Sequence, residues 1–325
     1  MSLRRVPLTV LAFALTAVCG CGGDDPATTT TSRHIEPVQL ALDFAPNAVH
    51  APLYAAIRTH ADTAQGVRLI IRQPGSGPDA LKQVAAGKLD LGVLDIHDLA
   101  IARERGIDVV GVAALVRKPL AALVTSAAIK RPRDLEGHDV GVSGLPSDPA
   151  FLDAIIAHDG GRLSRVHQIT IGFNAVSGIL AGKVDGAPVF WNAEGVALKE
   201  RGVKVNEFRV EDYGAPAYPE VVLITARRTL ERERDRIRRA LLAIRAGVAA
   251  VARDRDAAVH QIAHEAQTDD MDLIGAQLDA VAPIVATDLR LDQGVLEKWA
   301  AFDARLGIVE KRPDVDRAFD FSVLG

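Results

Sequence analysis

Apolar and polar positions change period repeatedly along this chain. From Val38 to Phe44, "VQLALDF" alternates like a half-buried strand, and "HAPLYAAIRTH" then turns to helical spacing. "VRLIIRQ" reads as a second strand, "PDALKQVAA" as a helix with Pro78 in its first turn and Gly87 closing it, and "LDLGVL" as a third strand. Strand and helix alternating at such short spacing predict a largely parallel sheet with helices on its faces. The same rhythm returns in "HDVGVSG", "PAFLDAIIAHDGG", "HQITIGF", "NAVSGILAG", "KVDGAPVF" and "NAEGVALKERG", which predicts a second α/β unit.

Ala-Gly-Lys-x-Asp occurs once in each unit, at Ala86–Asp90 and Ala181–Asp185. Gly87 and Gly182 read as left-handed residues that end a helix, and Asp90 and Asp185 stand near the start of the next strand. The match makes Asp95, Ile96, His97 and Asp98 equivalent to Phe190, Trp191, Asn192 and Ala193. Both sets lie just past the carboxyl end of a strand, where open α/β sheets bind ligands.

Residues 118–130 lead into the second unit and residues 210–226 lead out of it. In "RIRRALLAIRAGVAAVA" the residues Ile237, Leu241, Ile244, Val248 and Val251 form an apolar stripe that must pack on something, most simply on the first unit. Two crossings between two lobes make a hinge, with a ligand cleft between the lobes. The expected division is 38–118 for the first part of lobe 1, 119–214 for lobe 2, and 215–325 for the return to lobe 1.

The start of the chain is of another kind. Arg4 and Arg5 precede the apolar run "VPLTVLAFALTAV" and then "VCGC", a secretory leader with a lipoprotein-type processing site. Val18 at minus three and Gly20 at minus one favour Cys21 as the lipidated residue, so residues 1–20 are expected to be removed. Residues 21–37, threonine-rich and without apolar period, read as a flexible tether. A lipid anchor would hold the protein at the outer face of the cytoplasmic membrane; cleavage elsewhere would release it to the periplasm.

Composition narrows the function further. Both cysteines lie in the leader region, so the folded part has no disulfide, thiolate metal site or cysteine nucleophile. The net charge of −4, more negative once Arg4 and Arg5 are lost, speaks against nucleic acid. Aromatic residues are scarce, at 4%, yet Phe44, Tyr54, Trp191, Tyr213 and Tyr218 fall near strand ends or the hinge, which suggests a stacking site for a flat ring. Asp43, Asn47, His50, Asp95, Asp98, Asn192 and Glu194 supply acceptors and amides there. No Lys or Arg stands at these strand ends, whereas a sulfonate or nitrate would call for one. Asn192 and Asp98 read equally well as helix N-caps, His50 as a helix-start residue, and Tyr54 as core.

"LALDFAPNAVHAPLYAA", "AAGKLDLGVLDIHDLAIARERG", "VDGAPVFWNAEGVALKERG" and "VEDYGAPAYPEVVLIT" together resemble the substrate-binding lipoproteins of ABC importers for thiamine pyrimidine precursors. These belong to the larger nitrate, sulfonate and taurine binding-protein group. The resemblance implies the type II periplasmic-binding-protein fold and capture of a pyrimidine such as formylaminopyrimidine or hydroxymethylpyrimidine. It also implies delivery to membrane permease subunits, by a monomer that needs no cofactor. Asp43, Phe44, Asn47, His50, Asp95, Trp191, Asn192, Glu194 and Tyr218 are the expected ligand-binding residues. A riboflavin-like heterocycle, or an alkanesulfonate, taurine or nitrate, is the alternative cargo.

Catalytic readings are weaker. "PGSGPDA" imitates a dinucleotide fingerprint at Gly75, Gly77 and Ala80, but it is not the first βα turn of its unit. "GVSGL" lacks the last glycine of a nucleophile elbow, and the nine histidines show no metal-ligand spacing. Fungal pyrimidine synthases share the superfamily and use a histidine beside a lysine-bound pyridoxal phosphate. Those positions fall here at Asp98 and Leu94, so an enzyme is not expected.

Overall fold

The computed structural model describes residues 35–74, 80–145 and 147–325. The leader, Cys21 and most of the tether lie outside the described residues, as do Gly75, Gly77 and Pro78. Ten strands are described: β1 (Glu36–Ala41), β2 (Val67–Arg72), β3 (Leu91–Asp95), β4 (Val109–Ala114), β5 (Ala121–Ser126), β6 (Asp139–Val142), β7 (His167–Thr170), β8 (Gly186–Phe190), β9 (Val205–Arg209) and β10 (Val221–Ala226). They form two sheets, ordered β2-β1-β3-β10-β4 and β7-β6-β8-β5-β9. Read position by position, the two orders are the same arrangement.

Each sheet is mixed. β10 runs antiparallel to β3 and β4, and β5 runs antiparallel to β8 and β9, while the other four strands of each sheet are parallel. The reversed strand is in each case the first one after the chain changes sheet. The parallel strands point their carboxyl ends at the neighbouring sheet, so a strand that arrives straight from that neighbour runs the other way. The expected parallel pattern therefore fails at one strand per sheet, the one fed by the hinge.

Sequence pattern and burial agree with helices on both faces. β4 ("VVGVAA") and β10 ("VVLITA") are buried at every residue, as continuous apolar strands require. β7 ("HQIT") is exposed throughout and forms an edge. On the long helix Arg227–Arg253, Ile237, Leu241, Ile244 and Val248 are buried, and this stripe packs on the first-lobe helix Ala51–Arg58. Contact is so close that a Cβ at Gly247 would stand 2.0 Å from the Pro52 carbonyl oxygen.

The repeated pentapeptide marks one junction used twice. Gly87 has φ +69° and Gly182 φ +62°. Asp90 N–H then donates to the Gln39 carbonyl of β1 (3.0 Å), and Asp185 N–H to the Asp139 carbonyl of β6 (2.7 Å). β1 and β6 hold the same place in the two orders. The carboxylates diverge: Asp90 accepts from Gln39 N–H and pairs with Arg236, whereas Asp185 faces His138.

A further link joins the sheets besides the two crossings. The helix Met271–Val281 packs on the helix Arg255–Glu265 and also on the turn Trp191–Gly195 and the helix Val196–Glu200 of the second lobe. Within it the buried Gln277 amide donates to the Ala193 carbonyl at 3.1 Å.

Candidate ligand-binding cleft

The side chains that line the cleft are set by how each strand ends. β3 stops at Asp95, whose Oδ1 accepts from His97 N–H (2.7 Å) and Asp98 N–H (3.4 Å). That cap starts the helix Ile96–Glu104 and carries His97 and Asp98 into the cleft. β8 stops at Phe190, where the Glu194 carboxylate reaches back to Phe190 N–H at 3.2 Å and closes the turn Trp191–Gly195. After β6, Asp148 collects the Ser143 hydroxyl (2.9 Å) and Gly144 N–H (2.8 Å). After β1 come Asp43 and Phe44, and Glu220 immediately precedes β10.

These residues surround a cavity of about 1050 Å³ of empty space, its open mouth included. Six carboxylates line it, Asp43, Asp95, Asp98, Asp148, Glu194 and Glu220, together with Phe44, Phe151, Phe173 and Phe190. No Lys or Arg is among the described lining residues. His97 is the single basic group among the described lining residues.

Acid groups crowded in a poorly hydrated space resist ionisation. Burial, then the neighbouring Asp95, pushes Asp98 up to about 8. Burial, with a smaller push from Asp43, takes Glu194 to about 7 against the lowering effect of its backbone hydrogen bonds. Asp95 is raised by burial and by Glu220, and Asp148 by burial.

His97 behaves in the opposite sense. Burial pulls its pKa down, but the Asp303 carboxylate facing Nδ1 (2.9 and 3.0 Å) outweighs that, with Asp95 and Glu220, and lifts it to about 10. Its Nε2 meets the Tyr218 hydroxyl at 2.9 Å. Asp95, His97 and Glu220 bring ligand atoms within 4.8 Å of one another, a spacing that suits a metal ion. Both nitrogens of His97 are already engaged, so a metal would have to displace Tyr218.

Of the residues expected at the site, Asp43, Phe44, Asn47, Asp95 and Glu194 line the cavity. Asn47 has a second duty, its Oδ1 capping the turn Ala48–His50 through Val49 N–H at 2.9 Å. The structure places the other four outside the cavity lining, and in His50, Trp191 and Tyr218 a buried polar group has found its partner elsewhere. His50 sits behind Asp43: its Nδ1 accepts from Asn47 N–H (3.3 Å), which leaves Nε2–H to donate to Asp43 at 2.9 Å. Trp191 donates to the Pro119 carbonyl (3.1 Å) under the Arg209 guanidinium, 4.0 Å from its ring centroid, and does not form the cavity wall. Tyr218 is fully buried against His97. Asn192, also buried, has neither side-chain polar atom hydrogen-bonded among the described residues, so it acts neither as a cap nor as a lining group. Tyr54 is core.

Glu220, Asp148 and Phe173 line the cleft without having been singled out in the sequence, and His97, named there only by its place after a strand, lines it too. Glu220 precedes a strand in "YPEVVLIT", and only the antiparallel return of β10 turns that position toward the cleft. Leu94 and Asp98, where the synthases of the resemblance have lysine and histidine, both line the cavity. Leu94 offers no amine for a Schiff base.

Comparison with known proteins places this geometry. The family described as NMT1/THI5 like matches residues 47–258. A formylaminopyrimidine-binding protein of Halalkalibacterium halodurans is 30% identical over 226 residues, 69% of this chain and 68% of that protein. The 4-amino-5-hydroxymethyl-2-methylpyrimidine phosphate synthase THI5 of Saccharomyces cerevisiae is 26% identical over 154 residues, 46% of this chain and 45% of the enzyme. Among solved structures, the alkanesulfonate-binding protein SsuA of Xanthomonas axonopodis pv. citri superposes with a TM-score of 0.72 at 16% identity, covering 88% of this chain and 99% of SsuA. Two like-ordered mixed sheets, a twofold crossing and the matched span together show that this chain has the type II periplasmic-binding-protein fold and belongs to the NMT1/THI5-like family.

Proposed function

We propose that this protein is the substrate-binding component of an ABC importer, and that its cargo is a small flat nitrogen heterocycle, a thiamine pyrimidine precursor. One observation carries the reading: the cavity pairs four phenylalanine rings with six carboxylates and has no Lys or Arg among its described lining residues. Phenylalanine faces suit a planar ring, and carboxylates suit its amine hydrogens. An alkanesulfonate brings only acceptors and negative charge to such a wall, so the likeness to SsuA is a likeness of fold. The formylaminopyrimidine-binding relative supports the same choice of cargo.

Capture follows from the two lobes. A ligand touching both favours the closed arrangement through contacts that exist only there, and that difference in affinity drives closure. Export, with Cys21 lipidated at the membrane surface, would place the monomer beside its permease. Transport rather than catalysis fits Leu94 and Asp98, which carry neither the amine nor the imidazole of the synthases. Thermal-shift titration of the purified protein tests this: 4-amino-5-hydroxymethyl-2-methylpyrimidine should raise Tm with occupancy while taurine and nitrate do not. A shift with taurine and none with the pyrimidine would reverse the assignment.

A further inference from the structure

Two carboxylate oxygens of cavity-lining residues are buried without a hydrogen-bond partner among the described residues, Glu220 Oε1 and Asp98 Oδ1. Glu220 is fully buried, and Asp98 is 5% exposed. Glu220 ties the two crossings together: its Oε2 accepts from Leu120 N–H (2.7 Å) and Ala121 N–H (2.9 Å), and its carbonyl accepts from Ile96 N–H (2.9 Å). Its free oxygen stands 3.6 Å from His97 Nε2. The neighbouring Asp95 carboxyl can bond it only by sharing a proton. A buried acceptor left unpaired is destabilising, so these two oxygens are arranged for something that brings N–H groups.

We propose, starting from the importer reading above, that Asp98 and Glu220 form a subsite for the amidine edge of the ligand, the N–C–NH₂ unit of an aminopyrimidine-type ring. A carboxyl group complements that edge: one oxygen accepts from the amine while the other shares a proton with the adjacent ring nitrogen. The second amine hydrogen goes to Glu220 Oε1. Asp98 retains its proton near neutral pH because burial and Asp95 hold it at about 8. Glu220 touches both crossings, so amine recognition acts on the same side chain that joins the hinge strands.

The test is calorimetric titration of wild type, Glu220→Gln and Asp98→Leu with two probes. These are 4-amino-5-hydroxymethyl-2-methylpyrimidine and its analogue with hydrogen in place of the amine. Wild type should prefer the amino probe by about tenfold or more, as one charge-assisted hydrogen bond implies. Glu220→Gln should lose that preference while its affinity for the analogue stays within about twofold, whereas Asp98→Leu should lose the preference and also bind the analogue more weakly, because the analogue keeps the ring nitrogen. If Glu220→Gln loses both probes through hinge damage, Asp98→Leu decides. Equal binding of the two probes by wild type, or an intact preference in Asp98→Leu, overturns the subsite and leaves pyrimidine capture standing. Binding of neither probe by wild type overturns the pyrimidine cargo of the reading above and this proposal with it.

Discussion

Phe44 and Phe173 meet edge to face, their ring centroids 4.8 Å apart and their planes at 85°. Phe44 follows β1 in one lobe, Phe173 follows β7 in the other, and both line the cavity. The rings therefore bridge the cleft. Such a pair adds about 0.5–1.5 kcal/mol beyond the area it buries. Phe173→Ala should accelerate dissociation of a bound aminopyrimidine by about tenfold in stopped-flow measurements, with a smaller change in association rate. An unchanged dissociation rate would show that the ring pair does not retain the ligand.

The cavity acids make stability depend on pH. Asp98 at about 8 and Glu194 at about 7 lie above their unfolded values, so the folded state binds more protons there than the unfolded chain. Stability must then fall as pH rises through the interval between unfolded and folded values. His97 at about 10 adds to this: its contribution is complete below about 6.5, the ordinary histidine value, and is lost as pH climbs through 10. Ligand-free protein should therefore lose Tm steadily from pH 6 to pH 9, and Asp98→Asn should flatten the slope. A Tm that rises over this range would contradict the burial of these groups.

The packing of the long C-terminal helix can be tested at one atom. With a Cβ at Gly247 only 2.0 Å from the Pro52 oxygen, Gly247→Ala must push the two helices apart. Overpacking of this kind costs about 1–3 kcal/mol, to be read from the midpoint of urea unfolding. Val251→Ala, on a half-buried position of the same helix, should cost less.

The two repeat glycines predict an effect on stability without one on binding. Gly87→Ala and Gly182→Ala force a left-handed residue to carry a Cβ, which costs about 1–2 kcal/mol each. At Gly87 the new atom also meets the Arg228 guanidinium at 2.8 Å, while at Gly182 nothing lies within 4 Å. Gly87→Ala should thus be the more destabilising of the two in thermal unfolding. Ligand affinity that changes in either variant would give the repeat a role beyond scaffold.

Several cavity-lining residues were legible before the fold was known, and the reason is local. Asp43, Phe44, Asp95 and Glu194 each stand at the end of a strand, or within four residues of it, that alternation or an apolar run announces, and all four line the cavity. Trp191 occupies the matching place in the second lobe, yet its indole turns to the Pro119 carbonyl. Position along a strand predicts which residue stands at the cleft, but not where a side chain with a polar atom to satisfy will point.

By itself, the sequence determined the two α/β units, the helix stops at Gly87 and Gly182 and the apolar stripe from Ile237 to Val248, because periodicity and backbone conformation act over a few residues. Only the tertiary structure decided the direction of β5 and β10, since that depends on which end of a sheet the hinge feeds. It alone brought Tyr218 and Asp303 onto His97, from 121 and 206 residues away. It also left Glu220 with one oxygen bonded across the hinge and one without a hydrogen-bond partner among the described residues. Burial without a partner arises only when distant elements close around a group, and no short stretch of sequence contains that information.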